Sequence, residues 1–269
     1  MTLTATRIRD LLAAHDLRPS KALGQHFLAD PNTARRIVRL AGVEPGDRIV
    51  EVGPGVGSLT VALLDAGARV TALELDRHIV PVLTEVTAGG LIEIVEGDAL
   101  AVDWSALLPD PGWAMVANLP YNVGTSLLLR ALETAPTIDR FLVMVQREVG
   151  ERLAAGVGDP AYGAVSVRTD WFATATVVGR VPPTVFLPPP KVESALVRLE
   201  RRPHPPVSVR DPERMFTLVR AGFATRRKTL RNALGGLVGA EGFAAADVDP
   251  GARAEALGLT EWARLADAG

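Results

Sequence analysis

Arg48-Ile-Val-Glu-Val52, followed by Gly53-Pro-Gly55-Val-Gly57 and then Ser58-Leu-Thr60, is the stretch that decides the fold. Its first five residues, rich in β-branched side chains, read as a buried strand; glycines at every second position then make a turn, and Ser58 to Ala66 reads as a helix. The alternation continues outward. Arg69 to Leu75, Leu91 to Val95, Trp113 to Ala117 and Phe141 to Val145 read as further strands, with helical patterns over Ile79 to Val86 and Thr125 to Glu133. Strands separated by helical stretches imply βαβ units with right-handed crossovers. The fold class is therefore α/β, a doubly wound, mostly parallel Rossmann-like sheet.

Ahead of this core, Thr6 to His15 and Thr33 to Ala41 read as helices, the second announced by Asp30 as N-cap and Pro31 at the first helical position. Eight prolines fall between Pro182 and Pro206 and mark a boundary or a rigid connection, since each fixes φ and removes a donor. Ala195 to Leu199 alternates within that stretch like a last strand of the first domain. Beyond it the patterns over Pro212 to Phe223, Arg227 to Gly235 and Thr260 to Asp267 are helical. The expected division is an N-terminal helical arm with a cofactor-capping loop at 1–40, a catalytic domain at 41–204 and a small all-helical domain at 205–269.

Composition excludes several classes. The 269 residues include no Cys, which removes disulfides and thiolate chemistry and fits a reducing compartment. No secretory leader is legible in residues 1–16, and the long uncharged run from Pro111 to Leu129 holds Asn118, Pro120, Asn122 and Gly124, which a membrane span would rarely tolerate together. A cytoplasmic protein without a membrane partner is expected. His15, His78 and His204 lack ligand spacing, so no metal is expected.

The glycine loop departs from the dinucleotide fingerprint, because position 58 is Ser where a third glycine is needed. That disfavours a pyrophosphate and suits a nucleoside with an amino-acid tail. Glu74 ends the second strand, where a carboxylate accepts from ribose hydroxyls. Asp98, after the third strand, is placed to accept from an adenine amino group.

The fourth strand runs into Asn118-Leu119-Pro120-Tyr121. Ligands of open α/β sheets lie at the carboxyl ends of the strands, so this tetrad faces the same crevice as Gly53 and Glu74. Its chemistry matches methylation of an exocyclic base amine, a poor nucleophile whose lone pair is delocalised into the ring. The Asn118 side-chain oxygen and a backbone carbonyl beside Pro120 can accept the two N–H bonds and aim the lone pair at a sulfonium methyl group. Tyr121 would stack on the exposed base. A plain turn built from Asn and Pro is the bland alternative.

These segments, with Ser20 to Leu28, Phe186-Leu-Pro-Pro-Pro-Lys191-Val-Glu-Ser-Ala195 and Phe223 to Asn232, resemble in order the ribosomal RNA adenine N6,N6-dimethyltransferases of the kasugamycin-resistance type. The resemblance implies an S-adenosyl-L-methionine-dependent enzyme of small-subunit ribosome biogenesis. Such an enzyme dimethylates two adjacent adenosines in the 3′-terminal hairpin loop of 16S rRNA, within the 30S subunit or its precursor. It assigns cofactor contacts to His26, Leu28, Gly53, Gly55, Glu74, Asp98 and Asn118, and catalysis to Asn118, Leu119, Pro120 and Tyr121. Phe186 would stack on the base opposite Tyr121; the alternative is a core aromatic. The family usually has Asn where this chain has His26, which leaves either a plain loop histidine or a cofactor affinity that titrates.

Lys191, Arg220, Arg226, Arg227, Lys228 and Arg231 are the candidate RNA contacts, with Arg227 and Arg231 expected on one helix face. A solvated helix face is the alternative. Taken whole, the net charge of −2 speaks against a nucleic acid, but it is an average. Residues 1–40 carry +4, 41–185 carry −9, 186–234 carry +7 and 235–269 carry −4, so basic elements flank an acidic body. Two other readings stay open: a 23S rRNA methyltransferase of antibiotic resistance, which shares the glycine loop and tetrad, and a ribosome-assembly factor whose binding outweighs catalysis. The triple-proline segment and Phe223 to Asn232 favour the small-subunit reading. A monomer is expected.

Overall fold

The computed structural model describes residues 3–225 and 227–268. Its chain divides into two compact units, residues 1–150 with 176–201 and residues 151–175 with 202–269.

The first unit is built on a seven-stranded sheet. In chain order its strands are β2 (Arg48–Val52), β3 (Arg69–Glu74), β4 (Ile92–Glu96), β5 (Trp113–Asn118), β6 (Ile138–Gln146), β7 (Ala173–Val181) and β9 (Ser194–Arg201), and their spatial order is β4-β3-β2-β5-β6-β9-β7. Neighbours from β4 through β6 are parallel, and β9 returns antiparallel along β6 with Val143 opposite Val197. Strand order reverses between β2 and β5, which is where a crevice opens at the carboxyl ends of the strands. The crossover helices α3 (Ser58–Asp65), α4 (Val80–Val86), α5 (Trp104–Leu107) and α6 (Gly124–Thr134) connect them. Central strands buried on both faces need unbroken apolar runs, and Ile49, Val50, Ala72, Leu73, Met115, Val116, Val143 and Met144 are all buried.

Helices α1 (Ala5–Ala14) and α2 (Pro31–Ala41) form the N-terminal arm. As the sequence indicates, the Asp30 carboxylate accepts from the Asn32 and Thr33 backbone N–H groups and Pro31 opens α2. Between these helices the short strand β1 (Phe27–Leu28) pairs antiparallel with β8 (Phe186–Leu187), so the proline-rich stretch is ordered by a ladder to the N-terminal arm. Leu187–Pro188 is a cis peptide bond.

The second unit is helical: α8 (Ala164–Phe172), α9 (Pro212–Ala224), α10 (Leu230–Ala233), α11 (Ala240–Ala245) and α12 (Leu259–Asp267), with α7 (Arg147–Ala154) leading into it. A division at 204/205 leaves 151–175 with the sheet, whereas the structure gives this segment to the helical unit. The cause is packing. Tyr162, Val167 and Trp171 are buried in one core with Phe216, Leu257 and Trp262; Trp171 meets Phe216 edge-on at 5.7 Å, and the Tyr162 hydroxyl donates to the Leu257 carbonyl at 2.9 Å.

A second correction concerns the expected helix from Arg227. Lys228 N–H donates to the Thr225 carbonyl in a turn, and Thr229 is extended (φ −68°, ψ 159°), so α10 starts only at Leu230. Arg227 therefore lies in the turn and does not share a helix face with Arg231.

Candidate active site

The crevice of the sheet unit is walled by the β2–α3 loop, the ends of β3 and β4, the β5 tetrad and the loop that precedes β1. His26, Leu28, Gly53, Gly55, Glu74, Asp98, Asn118, Leu119, Pro120 and Tyr121 all line it. Ten expected residues, drawn from positions 26 to 121, thus converge on one cleft.

The loop glycines are required by geometry. Gly53 and Gly55 have φ of +68° and +55°, a region L side chains rarely adopt, and a Cβ on Gly55 would lie 2.9 Å from the Phe27 ring. Glu74 holds the loop from the next strand: its Oε2 accepts from Gly55 N–H at 2.9 Å and its Oε1 from Asp76 N–H at 2.9 Å. Burial pushes the Glu74 carboxyl up, and these backbone donors pull it back down. Each of its oxygens keeps a further lone pair. Asp98 is exposed, and its Oδ1 accepts from Leu100 N–H at 2.8 Å.

Asn118, at the end of β5, donates from Nδ2 to the His26 carbonyl at 3.2 Å. Its Oδ1 is buried and has no partner. The Pro120 carbonyl is occupied by the N–H groups of Val123 and Gly124, at 3.2 and 2.7 Å, whereas the Leu119 carbonyl accepts no hydrogen bond among the described residues. Asn118 Oδ1 and the carbonyl of the next residue are thus both left open. The Tyr121 hydroxyl hydrogen-bonds to Ser194 Oγ, and burial pushes this phenol up against the opposing pull of that bond.

Phe186 is not in this cleft. It is 4% exposed and packs among Leu28, Ile37, Leu142 and Leu196, because the β1–β8 ladder turns it into the core. The core-aromatic alternative is what the structure shows.

Several lining residues went unassigned in the sequence reading. Glu51 lies inside β2, 1% exposed, and burial raises its carboxyl to about 8, with Glu74 adding to the rise and the Thr60 hydroxyl opposing it. An acid amid Ile, Val and Val was a legible signal. Its Oε2 and the Ser58 Oγ are buried without partners. Gln25 accepts from Ser20 N–H at 2.8 Å and donates to Asp76 Oδ2 at 2.9 Å, which pins the N-terminal loop over the end of β3. Leu75 stands 57% exposed at the cleft, an apolar surface that an adenine ring would cover.

These features fit S-adenosyl-L-methionine. A glycine cradle admits close backbone approach, the free lone pairs of Glu74 suit ribose hydroxyls, and the orphaned oxygens of Glu51 and Ser58 await polar partners.

In the helical unit, Arg220, Arg227, Lys228 and Arg231 are exposed, and Arg220 donates to Thr217 Oγ1 at 2.9 Å. Arg226 lies outside the described residues. Lys191 is exposed in the sheet unit. Among the described residues no His/Asp/Glu group could hold a metal, and no helix is long and apolar enough to cross a membrane.

The chain is 47% identical to the ribosomal RNA small subunit methyltransferase A of Kineococcus radiotolerans, covering 98% of this chain and 90% of that one. It is also 47% identical to the protein of the same name from Streptomyces coelicolor, covering 97% and 94%. Among solved structures, a dimethyladenosine transferase from Plasmodium falciparum superposes with a TM-score of 0.74 at 24% identity, covering 89% of this chain and 96% of that one. The 23S rRNA methyltransferase ErmE superposes with a TM-score of 0.68 at 30% identity, covering 90% and 98%. The family model described as ribosomal RNA adenine dimethylase matches residues 17–268. With that match across nearly the whole chain, and with the tetrad and glycine loop at one cleft, this chain belongs to the ribosomal RNA adenine dimethylase family.

Proposed function

We propose that this protein transfers methyl groups from S-adenosyl-L-methionine to N6 of two adjacent adenosines in the 3′-terminal hairpin loop of 16S rRNA, during assembly of the small ribosomal subunit. The observation that carries the chemistry is the pair of open acceptors, Asn118 Oδ1 and the Leu119 carbonyl, at the end of β5.

When bound, the cofactor supplies an electrophilic methyl group on a sulfonium. The residues do the rest by placement. Asn118 Oδ1 and the Leu119 carbonyl accept the two N6–H bonds, which draws the amine out of conjugation and directs its lone pair into the cleft. Pro120 fixes the turn, and Tyr121 supplies a flat wall for the adenine. Glu74 accepts from the ribose hydroxyls, Asp98 from the adenine amine of the cofactor, and the Gly53 and Gly55 backbone leaves room for its amino-acid tail, with His26 and Leu28 closing the cleft. No dedicated base is needed, since the proton leaves to water after transfer.

Arg220, Arg226, Arg227, Lys228 and Arg231, in a helical RNA-binding unit, and Lys191 would contact phosphates. A monomer is proposed, and the absence of Cys supports a cytoplasmic setting. The likeness to ErmE keeps 23S rRNA as the second reading, while the 47% identity to small-subunit enzymes favours 16S rRNA. Incubating the protein and methyl-labelled cofactor with undermethylated 30S particles should yield N6,N6-dimethyladenosine on nucleoside chromatography. Label confined to monomethyladenosine, or absent, would refute the reading.

A further inference from the structure

The loop before β1 lies across the tetrad, and its last residue touches both side chains that handle the base. Upstream, the Ala22 carbonyl accepts from Asn122 Nδ2 at 3.2 Å, and Gly24 (φ +65°) approaches so closely that a Cβ would lie 3.0 Å from Asn122 Oδ1. His26 comes next. Its carbonyl takes the Asn118 Nδ2 donor at 3.2 Å, which leaves Oδ1 as the free end of that amide. Its imidazole packs on the Tyr121 ring, with centroids 5.4 Å apart and planes 30° apart.

The imidazole is itself held. His26 Nδ1 lies 2.7 Å from the Pro188 carbonyl, and a carbonyl only accepts, so Nδ1 carries the proton. The far end of Tyr121 meets the fully buried Ser194 hydroxyl on β9. The phenol ring is therefore fixed at one face and at its tip.

We propose that His26 and Ser194 are positioning residues of the target-base subsite: His26 covers one face of Tyr121 and Ser194 anchors its hydroxyl, so adenine stacks only on the remaining face, with its amine at Asn118 Oδ1. The proposal rests on the base-methylating reading above. An asparagine at position 26 would keep the backbone carbonyl for Asn118 but offer Tyr121 no flat wall. An aromatic pair of this kind corresponds to an effect of about three- to tenfold.

The test compares His26→Ala, His26→Asn, His26→Phe and Ser194→Ala in the full chain. Single-turnover methylation of undermethylated 30S particles at saturating cofactor should slow about three- to tenfold for His26→Ala and His26→Asn. His26→Phe keeps a ring and should recover most of the rate. Ser194→Ala and Tyr121→Phe remove the same bond, so the double variant should be no slower than the worse single one.

A second readout is independent of turnover. The chain has only two tyrosines, Tyr121 and Tyr162, so fluorotyrosine labelling gives two resonances, assigned with Tyr121→Phe. The Tyr121 signal should shift or broaden in His26→Asn and Ser194→Ala while that of Tyr162 stays put. Parental turnover in His26→Asn, or an unmoved Tyr121 resonance in both variants, would overturn the clamp while leaving the methyltransferase reading intact. A parent protein that methylates no adenosine would overturn both.

Discussion

The cleft of the sheet unit and the basic surface of the helical unit hold their key side chains in opposite ways. In the cleft Asn118, Tyr121, Glu74 and Gln25 are each tied to a named backbone or side-chain partner, with only selected atoms left open. In the helical unit Arg227 and Lys228 are exposed on a turn, and Arg231 is exposed on a helix of four residues. Methyl transfer depends on angles and needs rigid placement. Phosphate attraction acts through charge over several ångströms and tolerates mobile side chains.

The largest effect should come from Asn118→Ala. Removing one well-placed polar group from a reaction centre typically lowers the rate about 100- to 1000-fold, and the unfolding temperature should stay within a few degrees, because the side chain makes a single hydrogen bond. Single-turnover kinetics beside a thermal melt checks this. A variant at a tenth of the parental rate would mean that the open oxygen is not a substrate acceptor.

Arg201 sharpens the contrast from the other side, since it is a cation in the sheet unit whose guanidinium is taken up by backbone carbonyls. Its guanidinium donates to the carbonyls of Ile138 at 2.6 Å, Leu132 at 2.7 Å and Ala135 at 2.9 Å, closing the end of α6 against β6. Burial holds its pKa below the usual arginine value. Arg201→Ala should lower stability by about 2–4 kcal/mol, on the scale of lost hydrogen bonds to a charged group plus unpaired carbonyls. The midpoint of urea unfolding reads that loss, while methylation at low temperature should persist.

Replacing Arg227, Lys228 and Arg231 by Ala should act in the reverse sense. Binding to 30S particles should weaken by about tenfold or more at moderate salt, and the slope of log K against log salt should flatten by about two, with stability and cofactor affinity unchanged. An unaltered slope would remove these cations from the interface.

The smallest effect is a pH signature at Glu51. Its folded pKa of about 8 lies above the ordinary carboxyl value of 4.5, so the folded state binds the proton more tightly than the unfolded one. Stability then falls as pH rises from about 4.5 to 8. Glu51→Gln has no proton to lose, so its melting temperature relative to the parent should rise by a few degrees between pH 6 and pH 9. A constant difference across that range would place the ionisation elsewhere.

What was legible in the sequence follows the same contrast. Strand β2 was readable to the residue, and α2 was readable from Asp30 and Pro31, because buried parallel strands and helix caps leave local marks. Cleft residues after β2, β3, β4 and β5 could be gathered because these parallel strands end at one edge. Longer-range packing left no such mark. Residues 151–175 joined the helical unit through Trp171 and Tyr162, whose partners Phe216 and Leu257 lie 45 and 95 positions away. Phe186 was read from its proline neighbours, whereas its direction is set by pairing with Leu28 across 158 residues. The stack of His26 on Tyr121 depends on a loop crossing that no spacing encodes.

The central claim is tested most directly by position. After reaction with the parent protein, undermethylated 30S particles and naked 23S rRNA are probed by primer extension, which stops at dimethylated adenosines. The account predicts stops at two adjacent adenosines in the 3′-terminal hairpin loop of 16S rRNA and none in 23S rRNA. Stops in 23S rRNA, or an unmodified 16S loop beside a bound protein, would contradict it.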